Sequence, residues 1–286
     1  MSRGGRELMV ALLAAAGLAG CRQDAEEANG ALSGEARRGG LTVSLSQPVT
    51  DVKVTESRVS GRPLVVIDPG HGGRDPGATG TASGLKEKDL TLVIARELHN
   101  RLATGGRVRI ALTRDGDRTL ELDSRSDIAR RLGADLFLSL HADSATDPGA
   151  RGASVYSLSE VASDADAARL AAAQEGGRAS GGPGDGSVRA LLTDLAVRDI
   201  MTASANFALR LVGTANGRID LRPEPHRFAA LRVLRRAEAP AVLVEMGYLS
   251  NTADEAMLRD PVHRARLVEA LARAIETETA LAAASR

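Results

Sequence analysis

Aromatic residues and cysteine are scarce in this chain of 286 residues. It has no Trp, two Tyr, three Phe and a single Cys. So few aromatic side chains provide no platform on which nucleic-acid bases or sugar rings could stack, and one cysteine cannot form a disulfide framework. The core must therefore consist mainly of Leu, Val, Ile and Ala.

An excess of charge of either sign is also missing. Lys+Arg and Asp+Glu both number 37, so the formal net charge is zero, and the sequence lacks the basic patch that nucleic-acid binding requires. A hydrophobic content of 43% with 26% charged residues excludes both a disordered polyampholyte and a polytopic membrane protein. The composition predicts a soluble globular protein.

Residues 1–20 have the pattern of a secretory signal peptide. Arg3 and Arg6 provide a positive start, and residues 8–20 are small or apolar, which suits a signal peptide and is short for a membrane span. The segment ends in LAGC, which resembles the lipobox of bacterial lipoproteins, with Cys21 as the lipidated residue. An ordinary signal peptide with a chance cysteine is the alternative. Arg22 is compatible with sorting of a periplasmic lipoprotein to the outer membrane.

Residues 21–60 are predicted to form a flexible tether. Their first half is polar and rich in Gly and Ala, a composition that cannot bury enough apolar surface to order itself. Apolar and polar residues alternate over residues 41–59, which predicts one or two short strands. They are not assigned a domain of their own.

Strand and helix patterns alternate over residues 61–286. Short apolar runs bounded by Gly or Pro are typical of buried strands, and apolar residues at helical spacing indicate helices packed on one face. Strands are predicted over residues 64–68, 107–114, 135–143, 152–158, 229–234 and 241–246, and helices over 87–102, 124–133, 191–212 and 262–283. This alternation predicts an α/β fold with a mostly parallel central sheet flanked by helices on both faces.

Three residues that can carry chemistry follow predicted strands. His71 lies just past the first strand, and His141 and Glu245 end two later ones. The carboxyl ends of the strands form the ligand-binding edge of an open α/β sheet, so the three side chains should meet there. Glu87 opens the first helix and can return a carboxylate to the same edge. Two imidazoles and one carboxylate are a recurrent catalytic zinc set.

The alternation of side chains supports this placement of His141. Side chains alternate between the two faces of a strand, so Phe137, Ser139 and His141 lie on the same face of the strand that ends at His141. The leucines between them point to the opposite face. His141 is therefore expected at the rim of the sheet.

Four motifs in order resemble a known family. DPGHGG with the following Glu87, then SLHAD, then VLVEMGYLSN are similar to the successive motifs of zinc-dependent N-acetylmuramoyl-L-alanine amidases, typified by the cell-separation amidases of bacterial peptidoglycan. The similarity runs from about residue 63 to about residue 281. It implies zinc ligands at His71, Glu87 and His141, and a catalytic carboxylate at Glu245.

The resemblance also implies the reaction and its purpose. The bond cleaved would be the amide between N-acetylmuramic acid and L-alanine, for wall remodelling and daughter-cell separation. The chain is expected to be a monomer. A non-catalytic module that binds peptidoglycan or a division partner is one alternative, and a zinc hydrolase of another amide is a second. The presence of all four site residues favours the enzyme.

An insertion at about residues 159–188 separates the later strands from the earlier ones. Its first half is Ala-rich and helix-prone, and its second half is a flexible Gly/Ser/Pro run. Several cell-separation amidases resemble this arrangement, with an inserted helix that covers the zinc until an activator protein displaces it. Glu175 is an acid that could occupy the open metal position. A loose surface loop is the alternative.

The remaining candidates have weaker patterns. Asp68 and Asp143 either orient a ligand imidazole or cap their loops, and Asn251 is predicted to cap the helix that follows it. The other histidines have no partner motif and are interpreted as surface or packing residues: His99, His226, which is placed in a loop, and His263.

Overall fold

A seven-stranded sheet with helices on both faces organises the residues that the computed structural model describes, 52–147, 149–174 and 188–284. The strands are β1 Val54–Thr55, β2 Leu64–Pro69, β3 Arg109–Leu112, β4 Leu136–His141, β5 Ala153–Leu158, β6 Leu221–Ala229 and β7 Ala241–Glu245. The helices are α1 Glu87–Gly105, α2 Leu122–Leu132, α3 Ala165–Gln174, α4 Val188–Ala215, α5 Thr252–Arg259 and α6 Pro261–Ala284.

The sheet is mostly parallel, in the order β1-β3-β2-β4-β7-β5-β6. Strands β3, β2, β4 and β7 pair in parallel, as do β5 and β6, whereas β1 pairs antiparallel with β3 and β5 pairs antiparallel with β7. This arrangement confirms the predicted α/β class. Strand β1 lies within residues 41–59, the segment in which the sequence predicts one or two short strands.

Each face of the sheet has its own apolar core because side chains alternate along the strands. In β2, Val65 and Ile67 pack beneath α1, α4 and α6, whereas Leu64 and Val66 pack on the other face with α2 and α3. Strand β4 alternates in the same way and places Phe137 in the second core, as its sequence predicts. Helices therefore cover both faces.

The prediction of a strand over residues 229–234 is wrong. Arg232–Leu234 form a short 3-10 helix, and the strand lies upstream as β6, in the segment where the sequence predicts a loop around His226. Strand β6 lies at the end of the sheet and only two of its nine residues are buried, so its sequence needs no apolar run. Its two prolines are tolerated because an edge strand leaves one row of N–H groups unpaired.

The predicted helices are present in the described residues. Helix α3 lies in the half of the insertion that was expected to be helical. Asn251 caps α5 as predicted, because its side chain accepts hydrogen bonds from the N–H groups of Ala253 and Asp254. Within the described ranges, every helix is too short or too polar to cross a bilayer.

A buried carboxylate from α5 fixes the loop between β2 and α1. Glu255 is fully buried, and its carboxylate accepts hydrogen bonds of 2.8 Å from the N–H groups of Ala82 and Ser83 and another from the Ser83 hydroxyl. Burial raises the pKa of Glu255, but these hydrogen bonds outweigh it and lower the pKa below its ordinary value of 4.5. Helix α5 thereby holds the segment that leads into Glu87.

Replacing Glu255 by Gln should loosen this loop. The amide keeps one acceptor but turns a donor towards one of these N–H groups inside a buried site, so we expect the free energy of unfolding at pH 7 to fall by about 1–3 kcal/mol. Amide exchange at Ala82 and Ser83 should also become faster. Urea denaturation and hydrogen exchange measure the two effects.

The pH dependence of this loss has a defined sign. Since the folded pKa of Glu255 lies below 4.5, its stabilisation is complete above about pH 4.5 and is lost as the pH falls through the folded pKa. The difference in the free energy of unfolding between the parent and Glu255→Gln should therefore become smaller in acid. Glu97→Gln, which breaks a partly exposed ion pair with Arg264, is the control and should cost less than about 1 kcal/mol. Equal stability of the parent and Glu255→Gln at pH 7 would contradict a stabilising role of the hydrogen bonds between Glu255 and this loop.

Candidate active site at the carboxyl edge of the sheet

The structure brings His71, Glu87 and His141 together at the carboxyl edge of the central strands. His71 follows β2, His141 ends the adjacent strand β4, and Glu87 is the first residue of α1. One ligand atom from each residue lies within 4.8 Å of the others. The two imidazole rings meet edge-on, with centroids 4.9 Å apart. The convergence expected from strand ends is therefore present.

His71 adopts a backbone conformation that residues with a Cβ rarely adopt, with φ of 59°. Its Nδ1 lies 2.8 Å from the Asp75 carboxylate and its Nε2 lies 3.1 Å from Glu87. Gly70 allows the close approach of His141, because a Cβ at Gly70 would lie 2.5 Å from that ring. The turn thus directs Nε2 of His71 towards the cluster.

Glu87 is fully buried between the two histidines. Its Oε1 lies 3.0 Å from Nδ1 of His141 and accepts a 2.9 Å hydrogen bond from the N–H of Ala142. Its Oε2 accepts a 2.8 Å hydrogen bond from the N–H of Ala78. The N-terminus of a helix also favours a negative charge. Both oxygens of the carboxylate are therefore held in place.

The charges within the cluster stabilise one another. Burial raises the pKa of Glu87, but its hydrogen bonds and electrostatic interactions with His141 and His71 outweigh burial and hold that pKa well below the usual range. Burial lowers the pKa of His71, but Glu87 and Asp75 outweigh it and raise the pKa to about 9. The cluster therefore combines an ionised carboxylate with a site that favours positive charge.

Glu245 ends β7 beside this cluster. It pairs in register with His141 of β4 and is almost completely buried. Its Oε2 accepts a 3.1 Å hydrogen bond from the N–H of Asp143, whereas Oε1 has no partner within the described residues. Burial, followed by the negative charges of Asp143 and Glu87, raises the pKa of Glu245 well above its ordinary value. A buried carboxyl group of this kind is a candidate general base.

The structure resolves the two roles left open for the nearby aspartates. Asp143 caps its own loop by accepting a 2.6 Å hydrogen bond from the N–H of Ser144. Asp68 lies below the edge, where it accepts hydrogen bonds from Ser139 and from Arg125. The described contacts thus place both residues in structural roles rather than on a ligand imidazole.

Asp75 is the aspartate that orients His71, and sequence reasoning missed it. Its only signal was its position four residues after His71 in the turn-forming run GHGGRDPG. The other histidines contact different groups. Nε2 of His99 lies 2.8 Å from the Thr55 hydroxyl, and Nε2 of His226 lies 2.9 Å from the Ser157 hydroxyl.

The donor set fits a zinc ion. Two imidazoles and one carboxylate, supplied by three different elements, are a common set in catalytic zinc sites, and the second nitrogen of a ligating histidine usually binds a carboxylate or carbonyl. His71 has that carboxylate partner in Asp75. Within the described ranges, this is the one group of three or more His, Cys, Asp and Glu residues close enough to share an ion. Cys21 and Glu175 lie outside the described residues.

Comparison with known proteins identifies relatives over most of the chain. The family model of Amidase_3, described as N-acetylmuramoyl-L-alanine amidase, matches residues 65–277. N-acetylmuramoyl-L-alanine amidase AmiC of Neisseria meningitidis is 34% identical over 87% of this chain and 60% of its own length. N-acetylmuramoyl-L-alanine amidase AmiA of Escherichia coli K12 is 34% identical over 78% of both chains. The chain therefore spans less than two thirds of the Neisseria relative.

Solved structures agree with these sequence matches. The amidase AmiC2 of Nostoc punctiforme is 30% identical with a TM-score of 0.55, covering 77% of this chain and 98% of that one. The catalytic domain of the amidase CwlV from Bacillus (Paenibacillus) polymyxa is 27% identical with a TM-score of 0.54, covering 75% and 97%. By its family match and its relatives, the chain belongs to the Amidase_3 family of N-acetylmuramoyl-L-alanine amidases.

Proposed function

We propose that this chain is a zinc-dependent N-acetylmuramoyl-L-alanine amidase. It hydrolyses the amide bond between N-acetylmuramic acid and L-alanine in peptidoglycan and serves wall remodelling and daughter-cell separation. The observation that carries the proposal is the cluster of His71, Glu87 and His141 beside the buried carboxyl group of Glu245. Membership of the amidase family supports the choice of bond.

The residues of the cluster have complementary roles in this proposal. His71, Glu87 and His141 hold the zinc ion, which when bound supplies a Lewis acid that polarises a carbonyl and makes water more acidic. Asp75 keeps the His71 ring in one orientation through Nδ1. The N–H group of Ala142 keeps Glu87 turned towards both imidazoles.

Glu245 moves the protons of the reaction. Its Oε2 is held by the N–H of Asp143, which leaves Oε1 to accept a proton from the attacking water. Burial raises the pKa of Glu245, so its carboxyl group can return that proton to the leaving amine. One carboxyl group thus serves as base and then as acid.

Digestion of purified sacculi tests the reaction. The zinc-loaded chain should release stem peptides that begin with a free L-alanine, which mass spectrometry identifies. Peptides cut at another linkage would indicate a different amide substrate. Sacculi that stay intact both with the zinc-loaded chain and with a zinc-loaded variant that lacks residues 175–187 would indicate a binding module.

Two substitutions should separate zinc binding from proton transfer. Glu245→Gln cannot accept a proton, so it should retain one zinc ion per chain while turnover falls about a hundredfold or more. His141→Ala removes a ligand and should lose both zinc and activity with its fold intact. Metal analysis and the sacculus assay measure these effects.

His263→Ala, at the start of α6, is the matched histidine control and should keep both properties. Retention of a full zinc equivalent by His141→Ala would remove this ligand from the proposal. Activity of Glu245→Gln within a few fold of the parent would place the base elsewhere.

We also propose a lipid anchor at Cys21 that holds the chain in the periplasm, at the outer membrane, with the segment between Cys21 and β1 as its tether. The LAGC motif supports this location. Cys21→Ser should move the protein into the soluble periplasmic fraction or leave it unprocessed, as fractionation and mass spectrometry would show. Gln23→Ser is the control and should stay on the membrane. Unchanged attachment of Cys21→Ser would exclude the anchor.

The third proposal is that the insertion at residues 159–188 inhibits the enzyme until an activator protein displaces it, with Glu175 as the inhibitory metal contact. Helix α3 packs against β6, and its Ala167 and Ala171 lie in the second core. A deletion should therefore spare α3 and remove only residues 175–187, replaced by a short Gly-Ser linker.

This deletion and Glu175→Ala should each raise activity on sacculi without any activator. Circular dichroism and zinc content serve as controls for folding and metal loading. Unchanged or lower activity of a folded, zinc-loaded deletion would exclude inhibition by this segment.

A further inference from the structure

Two arginines are buried directly beneath the turn that carries His71. Arg114 follows β3 and is fully buried, and Arg125 lies in α2 with 3% of its surface exposed. Removing a guanidinium from water is costly unless its hydrogen bonds are satisfied and its charge is paired. Two such groups at one turn therefore indicate a specific role.

The arginines bind three consecutive carbonyl oxygens of this turn. Nε of Arg114 donates to the carbonyl of Pro69 at 3.0 Å, and its Nη2 donates to that of Gly70 at 2.7 Å. Nη1 of Arg125 donates to the carbonyl of Pro69 at 2.8 Å, and its Nη2 donates to that of His71 at 2.7 Å. The backbone of the turn is therefore held from its inner side.

Charge pairing does not account for both arginines. Arg125 forms a 3.0 Å ion pair with the buried Asp68, but the hydrogen bonds of Arg114 among the described residues go to carbonyl and hydroxyl oxygens, including the hydroxyl of Thr91. Burial and the nearby charge of Arg125 lower the pKa of Arg114 to about 10. The hydrogen bonds that compensate the burial of Arg114 therefore go mainly to backbone carbonyl groups.

The conformation of the turn explains the need for these contacts. His71 has φ of 59°, a region that side chains with a Cβ disfavour and that persists only where surrounding contacts enforce it. In this conformation its carbonyl group meets Arg125 and its Nε2 lies 3.1 Å from Glu87. Relaxation of the backbone would turn the imidazole away from Glu87.

We infer that Arg114 and Arg125 are positioning residues, which hold the Pro69–His71 turn in the conformation that presents the His71 imidazole to the metal. They act through the backbone and contact neither the ion nor the substrate. The inference rests on the proposed function, because it requires His71 to be a zinc ligand.

Arg125→Lys tests the inference. An ammonium group cannot bridge the carbonyls of Pro69 and His71 as the planar guanidinium fork does. The zinc dissociation constant, measured by competition with a chromophoric chelator, should rise about 10- to 100-fold. The visible absorption spectrum of the Co²⁺-substituted variant should also change, because the geometry of the ligands changes.

Arg227→Lys is the matched control. Arg227 is also buried, with 9% of its surface exposed, but it donates to Asp164 rather than to the turn. This variant should lose stability, as a buried arginine variant does, yet bind zinc with the affinity of the parent. Its Co²⁺ spectrum should also match that of the parent.

Thr91→Val is a milder variant that keeps both arginines. The Thr91 hydroxyl donates to the carbonyl of Gly70 at 3.0 Å and accepts from Arg114 at 3.2 Å. Replacing this hydroxyl by a methyl group of similar size should raise the zinc dissociation constant several-fold and shift the Co²⁺ spectrum. This variant tests the same turn even where Arg125→Lys does not fold.

The outcomes separate the inference from the proposed function. Zinc dissociation constants of Arg125→Lys and Thr91→Val within twofold of the parent would overturn the inference alone. An equal loss of affinity in Arg227→Lys would also overturn it, because general destabilisation would then explain the effect. A parent protein that binds no zinc would overturn the proposed function and the inference together.

Discussion

A fully buried carboxylate, Glu87, governs the arrangement of the candidate site at the carboxyl edge of the sheet. An ionised group inside a protein must be compensated by hydrogen bonds or opposite charge, and its partners come from three segments: the turn after β2, the loop before α1 and the end of β4. Each segment is ordered by a contact to the same two oxygens. The side chain of Glu87 therefore connects the segments that surround the site to the first turn of α1.

The same edge contains a second buried carboxyl group with the opposite behaviour. Glu87 faces two imidazoles, which hold its pKa below the usual range, whereas Glu245 faces the negative charges of Asp143 and Glu87 and its pKa is raised. Two carboxyl groups whose environments separate their pKa values are suited to different roles. The environment of Glu87 suits a carboxylate that binds a cation, and that of Glu245 suits a carboxyl group that carries a proton.

Much of the fold could be predicted because the central strands are buried on both faces. Strands β2, β4 and β7 are mainly apolar, and His71, His141 and Glu245 lie at or just after their ends. Strand β6 was missed because an exposed edge strand needs no such run and tolerates proline. The cluster itself followed from strand ends and from the order of four motifs.

The residues that support the cluster were harder to predict. Asp75, Arg114 and Arg125 were missed because charged residues are usually exposed, and a single sequence does not show which of them are buried. Their contacts to the turn go to its backbone carbonyls or to the His71 imidazole, which only the fold brings close. Hydrophobic periodicity cannot report contacts of this kind.

The site concentrates features that oppose folding. His71 has a positive φ, two guanidinium groups are buried beneath it, and Oε1 of Glu245 has no partner within the described residues. Such features persist only where other parts of the structure provide enough stability. Here the two apolar cores lie on the faces of the sheet, whereas the costly groups lie at its carboxyl edge. Stability and chemistry therefore depend on largely different residues, so the core side chains can vary in packing while the edge retains its strained and charged geometry.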